Sequence, residues 1–164
     1  MRLEVPEVLK REHRELHLRL EAATPLAGPL GKAARKLSAV MGGHLLREEQ
    51  FAFPLLSLLP HLVDGRVGED MAIALPVADR LRRELARLKE DHVIIMGALE
   101  EYAEAARAEG EGQEEHLTLA AEMIEHARLE EAILYPAALI VGEYVRLALQ
   151  QAPAGAAGVG GRRS

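Results

Sequence analysis

Apolar positions recur at alternating steps of three and four along most of this chain, the spacing of helices that bury one face. The first stretch runs from about Pro6, a good first-turn residue, to about Ala23, with Leu9, His13, Leu16 and Leu20 on its stripe. Thr24-Pro25-Leu26-Ala27-Gly28-Pro29 then breaks the pattern. A second stretch, from about Leu30 to about Leu59, carries Leu37, Met41, His44, Glu48, Phe51 and Leu55, and Pro54 should kink it. Residues 60–76 read as a connection containing Asp64-Gly65, with one short helical turn near Met71. The third stretch, from about Val77 to about Ala108, places Leu81, Leu85, Leu88, His92, Ile95, Leu99 and Tyr102 on one face. Gly110-Glu111-Gly112 turns the chain. The fourth runs from about Gln113 to about Gln150 with Leu119, Met123, His126, Glu130, Ile133 and Ala137, and contains Pro136. No strand-like alternation stands out. The pattern predicts an all-α, up-down-up-down four-helix bundle over residues 1–151, followed by an Ala/Gly-rich tail, 152–164, expected to be disordered.

Composition narrows this picture. The chain has 164 residues, enough for one domain with a real core. There is no cysteine, which excludes disulfides, thiolate metal sites and cysteine nucleophiles. Lys and Arg number 20 against 26 Asp and Glu, a net charge of −6, and the two signs are mixed along the helices. A basic stripe for nucleic acid is therefore not expected. No apolar run reads as a membrane span, and the opening MRLEVPEVLKREH lacks a signal-peptide core, so the expected location is the cytoplasm.

The stripes are interrupted where a bundle would ordinarily place leucine. His13, His44, Glu48, His92, His126 and Glu130 occupy seam positions. A carboxylate cannot be buried ionised without compensation. A metal ion supplies it, and imidazole plus carboxylate suits iron, manganese or zinc. His44 with Glu48, and His126 with Glu130, are spaced i, i+4, about 6 Å apart on one helix face. A buried polar network without metal is the alternative.

The chain also repeats itself. His44-Leu-Leu-Arg-Glu48-Glu49, then Phe53-Pro54, matches His126-Ala-Arg-Leu-Glu130-Glu131, then Tyr135-Pro136. Upstream partners, Glu12-His13 and Asp91-His92, precede the two histidines by 31 and 34 residues. One His-x-x-x-Glu is a weak signal; two copies with matched partners and prolines are a strong one. The repeat implies two helical hairpins about an approximate two-fold axis, with the site between them. Other metal readings fit worse. A zinc protease needs His-Glu-x-x-His, and ferritin-like bundles use Glu-x-x-His.

Over roughly residues 5–150 this set resembles the hemerythrin-like family, in its variant named for a His-His-Glu cation-binding repeat. The resemblance implies two non-haem iron ions, oxo- or hydroxo-bridged, inside the bundle. It makes His13, His44, His92 and His126 terminal ligands, with Glu48 and Glu130 as bridges. By analogy the first two helices serve one iron and the last two the other. Two departures stand out. Oxygen carriers of the family place a fifth histidine one turn after the third-helix ligand, where this chain has Met96. His17, one turn after His13, occupies the symmetry-equivalent place and is the candidate fifth imidazole. The last carboxylate is Glu130 at His126+4, where oxygen carriers use an aspartate one residue further on. This shifts the expectation from simple oxygen transport toward a functionally mixed branch.

The function expected is binding of dioxygen or a related small ligand, peroxide or nitric oxide. The alternatives are a peroxide- or nitric-oxide-consuming enzyme, or an iron or oxygen sensor and interaction module that acts through a protein partner. Elsewhere, His61 is expected to be exposed and His116 solvated. Glu49 and Glu131 read as surface or outer-sphere groups, and Tyr102 as core.

Overall fold

The computed structural model describes residues 1–151; the tail expectation for 152–164 lies outside them. Within that span the chain is all-helical. The elements are α1 (Glu7–Ala23), α2 (Gly28–Arg47), α3 (Leu59–Val63), α4 (Ala74–Glu109), α5 (Glu114–Leu129) and α6 (Tyr135–Gln151). A π-helical turn, Glu48–Ala52, and a 3-10 segment, Phe53–Leu58, prolong α2. A second π-helical turn, Glu130–Leu134, joins α5 to α6. The result is the four-helix up-down-up-down bundle, with α2 and its extension, α4, and α5–α6 as the long members.

Boundaries shift where proline acts differently from expectation. The expected break after Ala23 is present but ends at Ala27, so Pro29 falls inside the next helix. It lies in the first turn of α2, where the missing N–H is no loss. The connection is shorter than 60–76: α3 and a 3-10 turn, Glu69–Ile73, occupy much of it, and α4 begins at Ala74. Gly110 and Gly112 reverse the chain with φ of 89° and 88°, a region that side chains with a Cβ avoid.

Pro54 and Pro136 do more than kink. In both hairpins the π-turn opens on the glutamate and ends before the proline. Phe53 N–H bonds Glu48 C=O, and Tyr135 N–H bonds Glu130 C=O, each five residues back. A proline ring clashes with the carbonyl four residues earlier, and one wide turn ahead of it relieves the crowding. The extra residue moves the apolar stripe. Ile133, expected on the seam, is 55% exposed, and the buried face continues through Tyr135, Ala138, Val141 and Val145.

Two apolar clusters fill the bundle, one toward each end. One is built from Val5, Leu9, residues 51–58, the start of α4 and most of the buried face of α6. The other is built from the end of α1, α2, the second half of α4 and α5. The polar layer lies between them: Leu9 and Leu16 bracket His13, Leu88 and Ile95 bracket His92, and Met41 and Phe51 bracket His44 and Glu48. The segment Glu114–Gln151 is long and apolar enough for a membrane span by composition, contrary to the sequence reading. Here it forms one wall of the bundle, packed on α4.

Candidate metal centre

All six core polar residues arrive in one layer, and all are buried: His13, His44, Glu48, His92, His126 and Glu130. The imidazoles form two pairs. His44 and His92 bring their Nε2 atoms to 2.9 Å. His13 and His126 meet edge to face, with ring centroids 4.9 Å apart. The pairing runs α2 with α4 and α1 with α5, not first-with-second and third-with-fourth helix as the analogy implied. A two-fold axis between hairpins permits either arrangement. The rings reach across the seams between hairpins, so packing selects the one observed.

Each carboxylate straddles both pairs. Glu130 Oε1 lies 2.8 Å from His126 Nε2 and 3.3 Å from His13 Nε2, while Oε2 lies 3.2 Å from His92 Nε2. Glu48 Oε1 lies 3.4 Å from His44 Nε2, and Oε2 lies 3.8 Å from His13 Nε2. Donor atoms thus converge in two groups, His44–Glu48–His92–Glu130 and His13–His126–Glu130, each able to hold a metal ion.

The hydrogen bonding of the layer is incomplete in the way a metal would complete it. Glu48 Oε2 and His126 Nε2, facing into the layer, are buried without a hydrogen-bond partner, as are the outward-facing Nδ1 atoms of His13, His44 and His126. His126 Nε2 nevertheless lies 2.8 Å from Glu130 Oε1. Orphaned buried donors and acceptors of this kind are costly. The residues fit a metal.

Outside the layer, a carboxylate faces the Nδ1 of every imidazole. Glu131 hydrogen-bonds His92 at 2.9 Å, Glu12 stands 3.2 Å from His126, Asp91 3.7 Å from His44 and Glu49 3.8 Å from His13. Each acid neighbours a core residue in sequence but serves a ring on another helix. A carboxylate hydrogen-bonded to Nδ1 orients an imidazole and raises its basicity, the position Glu131 holds toward His92. Arg47 in turn ties down Asp91.

The charges couple strongly in the metal-free chain. Burial favours neutral imidazole at His126, yet Glu130, Glu12 and Glu48 outweigh it and push the ring up to about 9. His92 is raised too, its burial overcome by Glu130 and Glu131. Burial should raise Glu130, but His126, His13 and His92 hold it well below the usual carboxylate range.

His17 is half-buried and stands outside both donor groups. Its Nδ1 is buried without a partner, beside a cleft shared with Lys10, His13, Arg14 and Glu49. The two-fold-related cleft is lined by His92, Met96, Arg128 and Glu131. Between the rings a cavity of about 20 Å³ is walled by Leu16, Met41, Leu45, Ile95, Met123 and Ala127, room for about one water-sized guest.

Sequence reasoning did not single out Tyr135. The signal was present as the Phe53/Tyr135 mismatch in the repeat. Tyr135 is fully buried, donates to Glu48 Oε1 and lies 3.3 Å from His92 Nε2. Two histidines also differ from expectation. His61 is half-buried, and half-buried His116 shares a 2.7 Å hydrogen bond with the buried Tyr102 hydroxyl, because α5 packs back against α4.

Comparison of the chain with protein-family models, with curated proteins and with solved structures found no match.

Proposed function

We propose that this chain is a non-haem di-iron protein of the hemerythrin-like kind that binds dioxygen or a related small ligand. The observation that carries the reading is the placement of two buried carboxylates, each with one oxygen toward each imidazole pair. One metal would be held by His13 and His126, the other by His44 and His92, with Glu48 and Glu130 between them. His17 is the proposed fifth imidazole, on the His13 side. Its unpartnered Nδ1 and its place one turn from His13 support this, and Met96 leaves the equivalent position on the other side without a donor. Iron in this set would supply redox chemistry toward dioxygen, peroxide or nitric oxide.

The protein's own contribution is threefold. Glu131 orients His92 through a hydrogen bond, and Glu12, Asp91 and Glu49 place negative charge beside the other three rings. The apolar cavity walls exclude bulk water from the ligand's side. The two core clusters hold the layer between them and fix which helices supply its side chains.

Aerobic purification, metal analysis and an absorption spectrum test the reading. Two irons per chain with oxo-bridge absorption are expected. A colourless stoichiometric zinc protein would overturn the redox reading. Adding peroxide and following oxygen release then separates a binder from a peroxide-consuming enzyme. Loss of one imidazole signature in His17→Ala would support its role, and an unchanged spectrum with full iron content would remove it.

A further inference from the structure

The two halves of the metal centre are related by the repeat but are not alike. The His44/His92 half gathers four donors, including both carboxylates. The His13/His126 half gathers three, and Glu48 is the one missing. The repeat places an aromatic ring on each half at the same register. Phe53 packs on His13, centroids 5.3 Å apart, and Tyr135 stacks on His92 at 5.7 Å. The difference between these rings is one hydroxyl. That hydroxyl is buried, and it donates to the Glu48 oxygen that faces His44.

We propose that Tyr135 is a positioning residue that makes the two metal positions unequal, by anchoring Glu48 toward the His44/His92 half so that this half fills first. The inference rests on the metal-binding reading above. A carboxylate oxygen has two lone pairs, so Glu48 Oε1 can accept from the phenol and still face a metal. Holding it there removes the ordering cost of recruiting Glu48 at that half. The same anchor keeps Oε2 at 3.8 Å from His13 Nε2, the longest of the ring-to-carboxylate approaches in the layer. The other half must then wait for Glu48 to turn. Phe53 offers no counter-pull.

The test is anaerobic titration of the metal-free full chain with cobalt(II), followed by its visible ligand-field bands. Wild type should bind two ions in two resolved steps. His44→Ala should abolish the tight step, and His13→Ala should leave it. Tyr135→Phe installs the residue the other half already carries, so it should fold. It should keep two ions per chain but weaken the tight step by roughly 10- to 100-fold, as loss of an outer-sphere partner does, with a changed first-equivalent spectrum. Adding Phe53→Tyr to that variant should restore two separated steps. An isotherm and spectrum in Tyr135→Phe identical to wild type would overturn the proposal. So would a single unresolved uptake of two ions by wild type. A phenolate-to-iron band in the ferric protein, absent from Tyr135→Phe, would also overturn it by making Tyr135 a ligand. Failure of wild type to take up cobalt, zinc or iron would overturn the metal reading itself, and this inference with it.

Discussion

Glu130 carries more of the layer than any other side chain, since both of its oxygens approach imidazoles and three histidines depress its proton affinity. Glu130→Gln should therefore abolish uptake at both positions, whereas His44→Ala should leave one metal per chain; metal analysis after dialysis reads the difference. His126 sets a pH signature. Its folded-state value, about 9, lies above the ordinary 6.5. The stabilisation of the metal-free chain from this group is thus complete below 6.5 and is lost as pH rises through about 9. A metal needs the ring free of its proton, so metal affinity moves the other way over the same window. Melting curves from about pH 6 to 10 should show the metal-free protein losing stability while the increment from added metal grows. Metal-free stability that rises across this window would refute the assignment.

At the scale of elements, the π-turns decide where the second half of each hairpin faces. Without the extra residue, the stripe of the fourth helix would run through Ile133 and Ala137, and Tyr135 would leave the layer. Pro136→Ala removes the clash that favours the wide turn and restores a backbone donor. It should leave thermal stability equal or slightly raised but weaken metal binding by roughly ten-fold, the low end for disturbing an outer-sphere partner. Circular dichroism melts alongside metal titrations would show the two quantities moving apart. A parallel loss of both would mean that the proline serves folding rather than the site.

For the whole molecule, each donor group draws on both hairpins, so the site exists only when the hairpins are docked. Within the second hairpin, α6 approaches α4 closely. A Cβ on Gly142 would collide with the Cβ of Ala78. Gly142→Leu should cost about 1–3 kcal/mol by overpacking, read as a lower denaturant midpoint, and metal should recover part of it. At a free metal concentration of 100 times Kd, binding to the folded state adds about 2.7 kcal/mol per site. A Gly142→Leu protein as stable as wild type would show that the two helices slide apart freely.

The helices, the buried positions of α1, α2 and most of α4, and the burial of the six core polar residues were legible in the sequence, because helical periodicity and the cost of an unpaired buried charge are local or compositional arguments. His13, His44 and His92 announced themselves by standing where leucine belongs. The internal repeat made two hairpins legible as well. Three things waited for the tertiary structure. The pairing of His13 with His126 and of His44 with His92 depends on which seams the rings cross, and a two-fold repeat is compatible with either choice. The exposure of Ile133 depends on a turn widened to fit Pro136, which slips the register by one residue. The inequality of the two halves depends on Tyr135 meeting Glu48 from a different hairpin, 87 residues away in sequence, a contact that only the docking of those hairpins creates.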